Sequence, residues 1–158
     1  MYLVQIASEC APVAKVGGLG DVVFGLSREL EIRGNSVEII LPKYDCLRYD
    51  QIYGLQLTFQ DLWVPWHNGA IHCSVYFGFV HGRKCFFLEP HSEHHFFHRR
   101  VFYGQHDDDQ RFAFFCKAAL EFKPTDNILI YGSASRGAKS GGFTTYNTGN
   151  RSGIEPFN

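Results

Sequence analysis

Lys15-Val16-Gly17-Gly18-Leu19-Gly20-Asp21 lies between an apolar run at residues 2–7 and a helix-like run that begins near Asp21. A strand that ends in a glycine-rich turn and feeds a helix aims several backbone N–H groups, and the positive end of the helix dipole, at one small volume suited to a phosphate. Gly17 and Gly18 lack Cβ atoms, so the backbone can adopt positive φ and come close to a ligand, while Lys15 adds a mobile ammonium. The spacing is neither G-x-x-x-x-G-K-[ST] nor G-x-G-x-x-G, so neither common nucleotide signature applies. On the glycines alone two readings stand. One is an anion-binding turn; the other is a tight strand-to-helix connection with a solvated lysine before it.

Working outward, Tyr2-Leu3-Val4-Gln5-Ile6-Ala7 is short and apolar, as expected of a buried parallel strand. From Asp21 on, Val22, Leu26 and Leu30 recur at i, i+4 with Arg28, Glu29 and Arg33 on other faces, and Gly34 stands where a helix would end. Ser36 to Leu41 then reads as a second strand, stopped by Pro42. These pieces form a β-α-β unit, whose right-handed crossover leaves the strands parallel and whose ligands lie beyond the C-terminal strand ends. Lys15 and the glycines fall there.

Residues 54–90 change character. Leu55, Leu57 and Phe59 alternate, Ala70 to Val80 is β-rich, and His81-Gly82-Arg83 separates it from Lys84 to Leu88. This pattern predicts an antiparallel hairpin or meander, inserted against or beside the parallel sheet. Asp107-Asp108-Asp109 precede an apolar-periodic run from Gln110 to Phe122, expected to be a helix capped by its aspartates, with Phe112, Phe115, Ala119 and Phe122 on one face. The last 36 residues are rich in Gly, Ser, Thr and Asn; Ile128 to Tyr131 could form a strand, and a flexible tail would follow.

At 158 residues and 45% hydrophobic the chain is long enough for one core. A formal charge of −1 argues against a nucleic-acid partner. Five scattered cysteines with no C-x-x-C pair favour reduced thiols and a cytoplasmic location. No secretory leader or membrane-length apolar run is visible, so no membrane association is expected.

Lys15 to Asp21, together with Ser8-Glu9-Cys10-Ala11-Pro12, resembles the N-terminal signature of the bacterial glycogen and plant starch synthases, S-E-x-x-P followed by K-x-G-G-L-x-D. The resemblance covers roughly residues 1–122 and includes Leu41-Pro42-Lys43-Tyr44, Asp61-Leu62-Trp63-Val64-Pro65, Phe87-Leu88-Glu89-Pro90 and Tyr103-Gly104 through Phe112. It implies an α/β fold, the truncated Rossmann-like N-terminal half of a GT-B enzyme, with a hairpin or meander insertion and an irregular C-terminal tail. Members of that family are retaining glucosyltransferases that move glucose from ADP-glucose to an α-1,4-glucan acceptor without a metal or other cofactor. By the resemblance, Lys15 would contact the donor phosphate and Gly17 and Gly18 would admit the diphosphate to backbone amides. Asp21 would lie near the transferred sugar or, alternatively, cap the first helical turn. Tyr103 is a candidate for sugar stacking. The second GT-B domain and the family's histidine-bearing turn after the helix at 112–122 are absent, so no glucan synthesis by this chain alone is expected.

Residues 123–158 resemble something else. Lys123-Pro124-Thr125-Asp126-Asn127, Tyr131 to Gly137 and Lys139-Ser140-Gly141-Gly142-Phe143 are similar to a strand pair of TonB-dependent outer-membrane receptors. That predicts two unrelated segments meeting near residues 121–124. The alternatives to an enzyme fragment are therefore a non-enzymatic fusion product or a generic phosphate-binding α/β module. His91, His94, His95 and His98, with Glu89 and Glu93 nearby, could bind zinc if helical, but Pro90 and the interleaved Phe96 and Phe97 favour a loop.

Overall fold

In a computed structural model, which describes residues 1–122, the first three elements are strand β1 (Tyr2–Ile6), helix α1 (Gly18–Ile32) and strand β2 (Ser36–Pro42). β1 and β2 pair in parallel, with Tyr2 opposite Ser36 and Ile6 opposite Ile40. α1 ends as the sequence predicts. Gly34 sits at φ +81°, its N–H donates to the Glu31 carbonyl, and the Asn35 N–H donates to the Leu30 carbonyl, which together close a Schellman motif.

The hairpin region forms strands β3 (Ile52–Trp66), β4 (Gly69–Val80) and β5 (Arg83–His91). β4 and β5 are joined by a two-residue turn, His81-Gly82, with positive φ at both positions (46° and 82°), the twist that an antiparallel hairpin requires. The expected hairpin is present and joins the parallel sheet through β5. β5 pairs in parallel with β2, Pro42 opposite Leu88, so one five-stranded sheet runs in the order β1-β2-β5-β4-β3. Pairing between residues some 46 apart has no local signature, which is why the sequence showed the hairpin but not its place.

β2 and β5 carry the core: Ile39, Ile40, Leu41, Phe87 and Leu88 are all essentially inaccessible to solvent. α1 buries Gly20, Val23 and Ser27 rather than the expected stripe, and Val22 and Leu26 are exposed at 61% and 49%. Small residues at 20 and 27 allow the helix to approach closely along that line, and Ser27 satisfies its hydroxyl by donating to the Phe24 carbonyl at 2.8 Å. The expected stripe instead lines a groove between α1 and β1, formed by Leu3, Gln5, Val22, Leu26 and Leu30 among others.

The second helix, α2 (Asp108–Glu121), buries Arg111, Phe114, Phe115, Ala118 and Ala119, while Phe112 is half-buried. The expected face is thus shifted by one residue around the helix, because Arg111 takes a core position. Its aspartates do not cap it through their side chains. Asp107 accepts from both terminal nitrogens of Arg99 at 2.6 and 2.9 Å, and Asp108 accepts from Arg111 and from the Gly104 N–H. The Arg99 hydrogen bonds hold the Asp107 carboxyl down at about 2. A depressed folded-state value stabilises the fold above the ordinary carboxylate range, and that contribution is lost as pH falls through about 2. Asp107→Asn should therefore lower the melting temperature at pH 6 and make little difference at pH 2. A loss of equal size at both pH values, followed by thermal melts, would show that the ion pair is not the source.

Candidate functional site

The C-terminal ends of β1, β2 and β5 open on the same edge of the sheet, and three loops converge there. The first leaves β1 through Ser8 and Glu9 and closes on itself, with the Cys10 and Ala14 backbones exchanging two hydrogen bonds of 2.9 Å. The Ala11 N–H then donates to the Gly20 carbonyl at 3.0 Å, tying this loop to the first turn of α1. A Cβ on Gly20 would stand 3.2 Å from the Ala11 nitrogen and 3.2 Å from the Ala14 oxygen, so this glycine is needed for packing.

Gly17 and Gly18 differ. A Cβ on either would meet nothing within 4 Å, so neither is required by neighbouring atoms. Gly17, the residue before α1, has φ −138°, an extended conformation open to any residue; the left-handed geometry expected of this pair is not used. What the missing side chains provide is clear space above backbone that starts a helix. Lys15 stands beside this space, its ammonium 2.9 Å from Asp21 Oδ2, with both side chains about half exposed. Asp21 lies in the first turn of α1 and makes no capping hydrogen bond; its partner is Lys15.

Not every amide of the turn faces solvent. Glu9, 4% exposed, accepts from the Val16 N–H at 2.8 Å and the Gly17 N–H at 3.1 Å through Oε2, and from the Tyr103 hydroxyl at 2.8 Å through Oε1. Burial acts to raise its carboxyl, but the amides of Val16 and Gly17, the Tyr103 hydroxyl and the Gly20 amide outweigh it and hold the group below its ordinary value. Burial and the neighbouring carboxylate push the Tyr103 hydroxyl up to about 12, so it keeps its proton and donates to Glu9. The Ser8 hydroxyl, 2.7 Å from the Tyr103 oxygen, is left to donate to it. Tyr103, expected as a sugar-stacking residue, lies at the turn, where its hydroxyl braces Glu9 and its ring packs against Phe112. Glu9 is the functional candidate the sequence reading quoted without assigning. The available signal was an acidic residue placed between the first strand, which is only partly buried, and the glycine turn.

A second polar group lies where Lys43, just after β2, meets Glu89 near the end of β5. Lys43 Nζ donates to Glu89 Oε1 at 2.9 Å and sits over the Tyr76 ring at 4.5 Å, and His98 Nε2 is 3.1 Å from the same carboxylate oxygen. The remaining histidines scatter: His91 is bonded to Ser74 and stacks on His72, His94 stacks on Phe96, and the His95 carbonyl accepts from Arg99. Among the described residues, no group of three or more His, Cys, Asp or Glu side chains is placed to hold a metal ion. No described helix is long and apolar enough to cross a membrane.

Comparison with known proteins bears on the family and the fold. A profile of the family described as "Starch synthase catalytic domain" matches residues 3–129. The chain is 76% identical over 118 residues to "Glycogen synthase 2" of Methylococcus capsulatus, covering 75% of this chain and 24% of that protein. It is 71% identical over 127 residues to "Glycogen synthase 1" of Trichormus variabilis, covering 80% and 26% respectively. Among solved structures, the catalytic domain of starch synthase IV from Arabidopsis thaliana, bound to ADP and acarbose, superposes with a TM-score of 0.74 at 47% identity over 76% of this chain and 24% of that one. The chain thus spans about a quarter of the length of these relatives. The family match runs to residue 129, past the 121–124 junction expected from sequence, and the receptor resemblance of 123–158 gains no support from these comparisons and lies outside the described residues. By the extent and identity of these matches, the chain belongs to the starch synthase catalytic-domain family.

Proposed function

We propose that residues 1–122 carry the donor-diphosphate half of an ADP-glucose-dependent glucosyltransferase site, and that an α-1,4-glucan is the acceptor of the complete enzyme. The observation that carries this reading is the open space above Gly17 and Gly18, at the start of α1 and beside the half-exposed Lys15. A diphosphate placed there would meet helix-start amides and would draw Lys15 from Asp21 to a more highly charged partner. In sugar-nucleotide transfer the leaving diphosphate gains negative charge as the glycosidic bond breaks, and preorganised donors at that point lower the barrier. Asp21, released from Lys15, would face the transferred glucose. Tyr103 supports the turn from behind.

A GT-B enzyme works in the cleft between two domains, and residues 1–122 would form the wall of that cleft that holds the donor diphosphate. The reading gives residues 1–122 donor binding in a cytoplasmic setting, with residues 123–158 as a separate segment and glucose transfer as the work of the complete enzyme. Addition of ADP-glucose at 100 times its Kd should stabilise the chain by about 2.7 kcal/mol in thermal or urea unfolding, and Lys15→Ala should remove most of that gain. Stabilisation that survives Lys15→Ala would refute the assignment. Equal stabilisation by inorganic phosphate or ATP would favour a generic phosphate-binding module, and no stabilisation by any of them a fusion product without a binding function.

A further inference from the structure

We infer that Glu9 is the specificity-determining residue of the glycine turn: its buried carboxylate occupies the inner amides, so the turn selects an extended diphosphate over a lone phosphate. The inference rests on the donor-site reading above and extends it to the choice of anion.

A strand, turn and helix start of this kind normally offers all of its free N–H groups to an incoming anion, and a single inorganic phosphate or sulfate is the simplest occupant. Here the innermost part is already filled. Glu9 Oε2 takes the Val16 and Gly17 N–H groups at 2.8 and 3.1 Å, and Oε1 takes the Tyr103 hydroxyl at 2.8 Å. With an exposure of 4% the carboxylate has little water to screen it, and these donors keep it ionised. A small anion seated deep in the turn would compete for the same amides and would lie a hydrogen bond's length from a fixed like charge. Repulsive elements of this kind discriminate between ligands at least as well as added attractive contacts.

A diphosphate has an alternative that a lone phosphate lacks. It can stay outside the carboxylate, span the open stretch over Gly17 and Gly18, and reach Lys15 with one phosphate while the other meets the helix start. Its extra charge is then balanced by Lys15 rather than opposed by Glu9. Ser8 and Tyr103 act through Glu9: the Ser8 hydroxyl supports Tyr103, whose hydroxyl fixes the carboxylate's orientation. They are positioning residues. Glu9 sets which anion fits.

The test uses the full chain and two simple probes, inorganic pyrophosphate and inorganic phosphate, titrated by calorimetry against wild type, Glu9→Gln and Tyr103→Phe. Glutamine keeps the shape of the side chain and an oxygen for the Val16 and Gly17 amides, but it carries no charge. Wild type should prefer pyrophosphate, and Glu9→Gln should reduce that preference about tenfold by gaining affinity for phosphate. Tyr103→Phe loosens the carboxylate and leaves its charge in place, so its preference should stay within about threefold of wild type. Unchanged preference in Glu9→Gln would overturn the inference, as would equal loss in both variants, which would point to looseness rather than charge. Wild type that binds both probes equally, or neither, overturns it too. The donor-site reading fails separately, on ADP-glucose stabilisation that is indifferent to Lys15→Ala.

Discussion

Replacing Arg111 by alanine is expected to cost about 3–5 kcal/mol, a loss comparable with the whole stability of a marginal domain. The side chain is fully buried in α2, where its Nε donates to the Phe96 carbonyl at 2.6 Å, one terminal nitrogen pairs with Asp108, and the guanidinium carbon lies 5.4 and 5.3 Å from the Phe97 and Phe112 ring centres. Alanine would leave the Phe96 carbonyl without its donor, Asp108 without its countercharge and a cavity against the Phe97 and Phe112 rings. Each of these falls among the few mechanisms that produce large losses. Arg111→Met separates them, because it restores most of the volume and none of the hydrogen bonds. Its expected cost is smaller, about 1–3 kcal/mol for the unpaired buried carbonyl. Urea unfolding of both variants with unchanged m-values decides the matter; equal losses for alanine and methionine would mean that filling the site contributes nothing.

The second large effect concerns Gly20, and it falls on stability and on the site together. Valine there would place a branched side chain against the Ala11 nitrogen and the Ala14 oxygen, both already 3.2 Å from a bare Cβ, and against Glu9 Oε2 at 3.5 Å. Two of these are backbone atoms of a loop closed by its own hydrogen bonds, so they cannot turn aside as a side-chain tip would. Overpacking of this kind costs about 1–3 kcal/mol, and relief by separating the loop from α1 would break the Ala11 to Gly20 hydrogen bond as well. The expected result for Gly20→Val is a lower melting temperature together with loss of stabilisation by ADP-glucose. Gly18→Ala is the matching control, since its Cβ meets open space and its melting temperature should scarcely change. If the two variants melt alike, the close approach at Gly20 does not hold the turn together.

These contrasts show what the sequence disclosed and what it did not. Gly34 after an amphipathic run, Pro42 after an apolar one, and His81-Gly82-Arg83 between two β-rich stretches each mark a local backbone event near where the pattern put it, although Arg83 already begins β5. Faces were harder. Val22, Leu26 and Leu30 have the period of a buried stripe, yet Gly20 and Ser27 bring a different line of α1 against the sheet, and side-chain size at the contact outweighed hydrophobicity. Arg111 has the same lesson in reverse: a charged residue entered the core because Asp108 and the Phe96 carbonyl were there to receive it, and no count of apolar residues anticipates that. At the site, the lysine and glycines were legible because their chemistry is local. The role of Glu9 was not, since it depends on Tyr103, 94 residues away in sequence.

The position of β5 between β2 and β4 also constrains how the sheet can assemble. Its antiparallel partner begins across a two-residue turn, whereas its parallel partner is separated from it by the whole of β3 and β4. Closing a loop costs entropy that rises with the logarithm of its length, so the β4–β5 ladder is by far the cheaper to form from an open chain. Once the three-strand meander exists, it acts as a ready-made surface, and the chain linking it to β2 shrinks to the residues between Pro42 and Ile52. The costly parallel contact then becomes a short-range event. The meander serves as a template on which the β-α-β unit, and with it the glycine turn, can be completed late.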